Sequence, residues 1–383
     1  MIASCVLAVL AVAAGGGAAP APQWLREAEV FNGWYSAWTD EAISRMRGLP
    51  FVVGVPPDKA VIEKAHKVGT RVLVYLTFYQ WPPNDVYQGA KLADHPDWVM
   101  IRPDGKEGIS CFDSSDNPGW RTVCSNSPAF RKYVLDYTRR LMKLGADGVF
   151  VDNAHQDAQP CQGPKFGRHS HIDAAKDNLR AYCDLLRAAR SVVKEFGQDK
   201  ALIANPGGPY AELAGVCDAQ MLESYICTHA SDKRWHDDAR ILEFARAYAP
   251  FIEKGNGIVA LSYIGHTKNP PREDAFYCYA WSRLSGFVWA DWFTSPRSAG
   301  LLFVLRLGKP IGPMQTGDNC HTRLFEHGMV AASGNSGEGR FALSAAEHPR
   351  VLDVFEGRHL EPSGSDQYRI SLPPGQGRVY LFH

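Results

Sequence analysis

The 383-residue chain has no surplus of either charge, with 41 Lys and Arg standing against 41 Asp and Glu. Without a basic stripe it has no electrostatic footprint for a phosphate backbone or an anionic bilayer, so no nucleic-acid partner is expected. It also lacks a Gly-rich phosphate loop, a G-x-G-x-x-G run and a G-x-S-x-G elbow. Nucleotide cofactors and serine-esterase chemistry therefore have no support, and no cofactor is expected. Cysteines at C-x-x-C spacing are missing as well, which argues against a structural zinc site, and no metal is assigned. What is present is core-building material. Hydrophobic residues make up 45%, aromatic residues 11% and charged residues 21% of the chain, which excludes extended disorder.

The one long apolar run is at residues 2–14, and it leads into Gly15-Gly16-Gly17-Ala18-Ala19-Pro20-Ala21. An apolar stretch followed by small residues reads as a signal peptide over residues 1–21, cleaved near Ala19 or Ala21. It is too short to span a bilayer, so the mature chain is expected to be exported to the periplasm or beyond, with no integral membrane segment. One departure is that Met1 runs straight into Ile2 without a basic n-region. The lipoprotein-like residues 2–5 stand at the start of the apolar run instead of following it, so no lipid anchor is assigned. Removal of the leader leaves cysteines 111, 124, 161, 183, 217, 227, 278 and 320. An even count in an exported chain permits disulfides, with Cys111 and Cys124 or Cys217 and Cys227 nearest in sequence; reduced core thiols are the alternative.

Short β-rich apolar runs alternate with longer amphipathic stretches. Strands are expected at 29–31, 51–55, 71–78, 148–152, 201–204, 220–223, 258–263 and 286–290, and helices at 57–68, 127–144, 173–196, 235–249 and 272–284. Eight strands with crossover helices fit an α/β fold, a (β/α)8 TIM barrel over residues 22–308, with an open doubly wound sheet as the alternative. A long irregular segment at 79–126 would lie over the C-terminal face of such a barrel. From residue 309 to 383 the helical period disappears and strand-like runs recur at 323–332, 340–345, 351–355, 367–372 and 378–382, read as a small all-β sandwich.

Two apolar runs end in a carboxylate. Gly148-Val149-Phe150-Val151-Asp152-Asn153 is one, and Gln220-Met221-Leu222-Glu223-Ser224-Tyr225 is the other. An acid at the C-terminal end of a buried strand is costly unless paired or used, and in a barrel that end faces the substrate. The acids are 71 positions apart, about two barrel units, so Asp152 and Glu223 fall on strands four and six. Two carboxylates converging across a barrel mouth suit glycoside hydrolysis. Around them, Tyr75, Tyr79, Trp81, Asn153, His155, Asn205, Tyr225, Tyr263, His266 and Asp291 lie at or near strand ends as candidate sugar-binding groups, with Trp289 and Trp292 beside Asp291 as a stacking platform.

The segments 147–153 and 222–225, with Ile203-Ala204-Asn205-Pro206-Gly207 between them, resemble barrel glycoside hydrolases, in particular the endo-α-1,4-polygalactosaminidase group (glycoside hydrolase family 114) and related glycosidases. The loop at 96–106 and the segment at 120–131 are similar to segments of α-galactosidase-like and α-glucosidase-like barrels. The resemblance implies an O-glycosidase acting on an oligo- or polysaccharide, with an α-linkage, Asp152 as nucleophile and Glu223 as acid/base in a retaining mechanism. The sequence leaves exchanged roles and inversion open. It also leaves open a carbohydrate-binding barrel without turnover, and a metal-dependent hydrolase centred on His155, His169 or His171, of which the last two form an H-x-H run in a polar loop.

Overall fold

The computed structural model describes residues 20–383 apart from 34–37, 111–118, 155–160, 174–177, 207–210, 229–234, 265–271, 292–295 and 365. The leader expected at residues 1–21 therefore lies almost wholly outside the described residues.

Eight parallel strands follow one another around a single sheet: β1 Asn32–Gly33, β2 Phe51–Val55, β3 Arg71–Thr77, β4 Gly148–Asp152, β5 Ala201–Ala204, β6 Ala219–Leu222, β7 Gly257–Ser262 and β8 Val288–Asp291. The sheet closes on itself. Val30 pairs in parallel with Trp289, Phe31 N–H donates to the Trp289 carbonyl at 3.0 Å, and Trp289 N–H donates to the Glu29 carbonyl at 2.9 Å. Closure makes this the expected (β/α)8 barrel and excludes an open doubly wound sheet.

Both faces of each strand are covered, which is why the strands read as continuous apolar runs instead of alternating ones. Phe31, Phe51, Val53, Leu73, Phe150, Ile203, Met221, Val259, Leu261 and Ala290 fill the barrel interior. Their neighbours in sequence, among them Val52, Val74, Val149, Val151, Leu202, Leu222, Ala260 and Trp289, face the surrounding helices. Helices Lys59–Lys67, Pro128–Lys143 and Asp238–Glu253 begin at capping side chains, Asp58, Ser127 and Asp237, each accepting from backbone N–H groups of the first turn.

Several boundaries differ from those expected. Asn32–Gly33 replaces 29–31 as the first strand, and short helices Gln23–Glu27, Asp40–Ser44 and Pro296–Val304 were not anticipated. The helix Asp238–Glu253 runs through Pro250 instead of stopping at residue 249.

After the last barrel helix come antiparallel sheets. One has six strands, in the order Gln315–Gly317, Cys320–Phe325, Gly328–Ser333, Gly377–Phe382, Val351–Asp353 and Arg358–His359; the other pairs Gly339–Ser344 with Gln367–Leu372. The run expected as one strand at 323–332 is thus a hairpin that turns at Glu326-His327. The six-stranded sheet packs on helix Arg272–Leu284 so closely that a Cβ on Gly377 would lie 2.5 Å from the Phe276 carbonyl oxygen. No helix among the described residues is long and apolar enough to cross a membrane.

Candidate active site

Strands present side chains in two-residue alternation. Followed toward the C-terminal end, the interior residue Leu73 leads to Tyr75, Phe150 to Asp152, Ile203 to Asn205, Met221 to Glu223 and Leu261 to Tyr263. Five consecutive strands thus each place a polar group directly above the last apolar layer.

These five groups form one hydrogen-bonded arc. Tyr75 Oη donates to Asp152 Oδ2 at 2.9 Å, and Asn205 Nδ2 donates to Asp152 Oδ1 at 2.8 Å. The same Nδ2 donates to Glu223 Oε2 at 2.8 Å, while Tyr263 Oη donates to Glu223 Oε1. With both bonds of 2.8 Å sharing one nitrogen, the two carboxylate oxygens lie no more than about 5.6 Å apart. Burial and the negative charge of Glu223 push Asp152 above the ordinary carboxylate range, against the pull of Asn205, Tyr75 and the Asn153 N–H. Burial, with the neighbouring carboxylates, also raises the phenols of Tyr75 and Tyr263, which keeps both as donors.

Directly after each acid the chain turns away from the barrel. Asn153 has φ 50° and Ser224 has φ 60°, a left-handed conformation that non-glycine residues rarely adopt and that concentrates at functional sites.

The structure does not bring every candidate to this arc. The turn at Ser224 breaks the alternation, so Tyr225 is buried among Phe244 and Phe287, its hydroxyl 2.6 Å from Ser285 Oγ. Trp81 is enclosed by Tyr87, Trp98, Phe130 and Tyr133, and Tyr79 is likewise buried. Trp289 packs against Tyr279 and Phe303 outside the barrel, so it offers no stacking platform. Asn153 is half-buried beside Asp152. His155, His266 and Trp292 lie outside the described residues, as does the Asp291 side chain, although its backbone ends β8. One contributor was missed. Tyr87, from the loop after β3, stands beside Tyr75 as an electrostatic neighbour, and burial pushes its phenol up to about 12. Only its place in that long aromatic loop hinted at it.

The seven described cysteines are buried, and no disulfide joins Cys217 to Cys227; the Cys111–Cys124 pair lies outside the described residues at Cys111. Four side chains that the sequence did not connect also converge, because the ligand atoms of Cys124, Cys161, His169 and His171 lie within 4.8 Å of one another. There, bonding from the Cys124 thiol, His169 and two backbone amides lowers the Cys161 thiol well below its ordinary range.

A closed parallel barrel carrying two bridged carboxylates at the C-terminal ends of its strands is an arrangement suited to glycoside hydrolysis. The sequence agrees: residues 64–329 match GHL15, hypothetical glycosyl hydrolase family 15, and the chain belongs to that family. No curated protein matches it significantly. Solved structures share the fold at low identity. An Anoxybacillus α-amylase superposes with a TM-score of 0.57 at 11% identity, covering 94% of this chain and 98% of its own. The maltogenic α-amylase AmyB of Thermotoga neapolitana gives 0.58 at 10%, covering 93% and 99%. A GH27 β-L-arabinopyranosidase from Geobacillus stearothermophilus gives 0.58 at 12%, covering 94% and 97%.

Proposed function

We propose that this protein is an exported enzyme that hydrolyses O-glycosidic bonds in an oligo- or polysaccharide with retention of configuration, Asp152 acting as nucleophile and Glu223 as acid/base. The observation that carries this reading is the Asn205 amide spanning both acids. Retaining enzymes hold their carboxyl groups about 5–5.5 Å apart and inverting ones about 6.5–9.5 Å, to leave room for a water; oxygens no more than about 5.6 Å apart favour the first.

The chemistry follows from the donors. Tyr75 and Asn205 donate to the two Asp152 oxygens and hold them for attack, and with the Asn153 N–H they offset part of the burial and of the Glu223 charge that push this acid upward. In the first step Glu223 gives its proton to the glycosidic oxygen, the alcohol departs, and an Asp152 oxygen bonds to the anomeric carbon. In the second, Glu223 takes a proton from water, the water oxygen replaces Asp152 on that carbon, and the carboxylate is released. Tyr263 and Asn205 hold Glu223 in place for both steps. The motif resemblance to polygalactosaminidases supports an α-linkage and an amino-sugar polymer among the first substrates to try. The apolar run at residues 2–14 supports export.

The test is release of reducing sugar from α- and β-linked glycans, galactosaminogalactan included, by the wild type, Asp152→Asn and Glu223→Gln, with circular dichroism to show that each is folded. Loss of at least 10²–10⁴-fold in each variant is expected, with the first-formed anomer, read by NMR, matching the substrate. Unchanged activity in either variant removes that acid from catalysis, and an inverted first product removes the nucleophile role.

A further inference from the structure

Cys124 lies in the connection after β3, and Cys161, His169 and His171 lie in the connection after β4, the strand that ends in Asp152. The first loop contributes one thiol and the second contributes a thiol and two imidazoles, and the four side chains meet as two thiol–imidazole pairs. Cys124 Sγ is 3.6 Å from His171 Nε2, and Cys161 Sγ is 3.4 Å from His169 Nε2. Around a tetrahedral zinc ion, with Zn–S of about 2.3 Å and Zn–N of about 2.0–2.1 Å, the sulfur–nitrogen edges would be about 3.5 Å. The observed separations match those edges.

The surrounding backbone is shaped for the same purpose. Cys161 Sγ receives N–H groups from Ile101 at 3.3 Å and Gly163 at 3.4 Å, the donors that a thiolate needs when it is taken out of water. Gly163 is required, since a Cβ there would lie 2.3 Å from His169 Nε2. His169 Nδ1 is buried with no hydrogen-bond partner among the described residues, so Nε2, aimed at Cys161, is the ring's polar contact. Asn126 fastens the loops together, donating through Nδ2 to the Asp173 carbonyl at 2.7 Å and accepting at Oδ1 from Asp173 N–H at 3.1 Å, while its carbonyl accepts from Ile172 N–H at 3.0 Å.

We propose that Cys124, Cys161, His169 and His171 bind one zinc ion as a closed structural site that locks the loop after β4 to the loop after β3. With four protein ligands the site has no open position for a substrate or a water, so it is a brace and not a hydrolytic centre. A Cys124–Cys161 disulfide would leave both histidines without a task and would need an oxidant. The inference is independent of the glycosidase reading.

The test is metal analysis of the full chain, purified without chelator from zinc-supplemented medium, by inductively coupled plasma mass spectrometry. About one zinc per chain is expected, falling at least tenfold in Cys161→Ser and His171→Asn and unchanged in Asp152→Asn. Should the ligand variants fail to fold, wild-type protein stripped and reloaded with cobalt(II) is expected to show thiolate-to-cobalt charge transfer and tetrahedral d–d bands. Wild-type protein without zinc and without those bands, a Cys124–Cys161 disulfide in non-reducing peptide maps, or zinc retained in folded Cys161→Ser would each overturn the proposal.

Discussion

Asn205 is the residue on which both acids depend. Its amide donates to one oxygen of Asp152 and one of Glu223, so removing it takes a donor from each. In Asn205→Ala we expect kcat/KM to fall about 10- to 100-fold, as hydrogen bonds to charged groups are worth roughly 1.5–3 kcal/mol. The acidic limb of the pH–rate profile moves to higher pH, because Asp152 without this donor holds its proton more tightly. A folded variant with an unshifted limb would detach the bridge from the mechanism. Asp152 carries a second consequence. Its raised folded-state pKa means that the native protein binds the proton more tightly than the unfolded chain, so stability falls as pH rises through the window between the two values. At neutral pH the ionised acid is a burden that Asp152→Asn removes. The variant is expected to melt above the wild type at pH 7, with the gain disappearing as pH drops below the ordinary carboxylate range; thermal melts across pH check this, and a gain independent of pH would refute it. Tyr75, Asp152, Asn205, Glu223 and Tyr263 were legible because apolar strand runs end there. Tyr225 was misplaced because nothing in its letters announces the left-handed turn at Ser224. The convergence of Cys124 with Cys161, His169 and His171 joins two loops, and sequence spacing carries no trace of it.

The strands are held at their opposite ends by ion pairs. Asp218, at the start of β6, has a side chain with 0% exposure that meets Arg190 at 2.8 Å and Lys194 at 3.1 Å, while its other oxygen accepts from Leu202 N–H on β5 at 2.8 Å. One carboxylate thereby ties helix Asn178–Lys194 to two strands. Asp218→Ala leaves two partly buried cations facing each other, a change that costs about 3–5 kcal/mol and is expected to lower Tm by about 5–10 °C. Because this end of the barrel is remote from Asp152, activity per folded molecule is expected to stay at the wild-type level; a selective loss of kcat at unchanged Tm would contradict the assignment. The barrel strands were readable since strands buried on both faces are short, continuous and apolar. The first strand was displaced because it consists of two residues, Asn32–Gly33, whose pairing is set by β2 and not by their own composition. Pro250 reads as a helix stop, yet the helix passes through it and ends at Glu253.

At the scale of the molecule, helix Arg272–Leu284 decides whether barrel and C-terminal sheets can part. Every residue from Ala275 to Leu284 is buried, whereas a helix on the outside of a barrel ordinarily keeps a solvated face. The second cover is the six-stranded sheet: Phe276 packs on Phe355, Trp281 on His321, and Arg272 donates to the Val354 carbonyl at 3.1 Å. The join is fixed from the barrel side as well. Glu29, 3% exposed just before β1, accepts N–H groups from Leu307 and Gly308, where the chain leaves the barrel. Removing residues 309–383 would bare the outer side of this helix and leave a large apolar patch, which soluble monomers rarely show. A chain ending at residue 308 is therefore expected to be aggregated, or to bind a hydrophobic dye and melt without cooperativity, even though every group of the Asp152–Asn205–Glu223 arc is retained. A truncated barrel that melts cooperatively at the full-length Tm would show instead that the C-terminal sheets only rest on it.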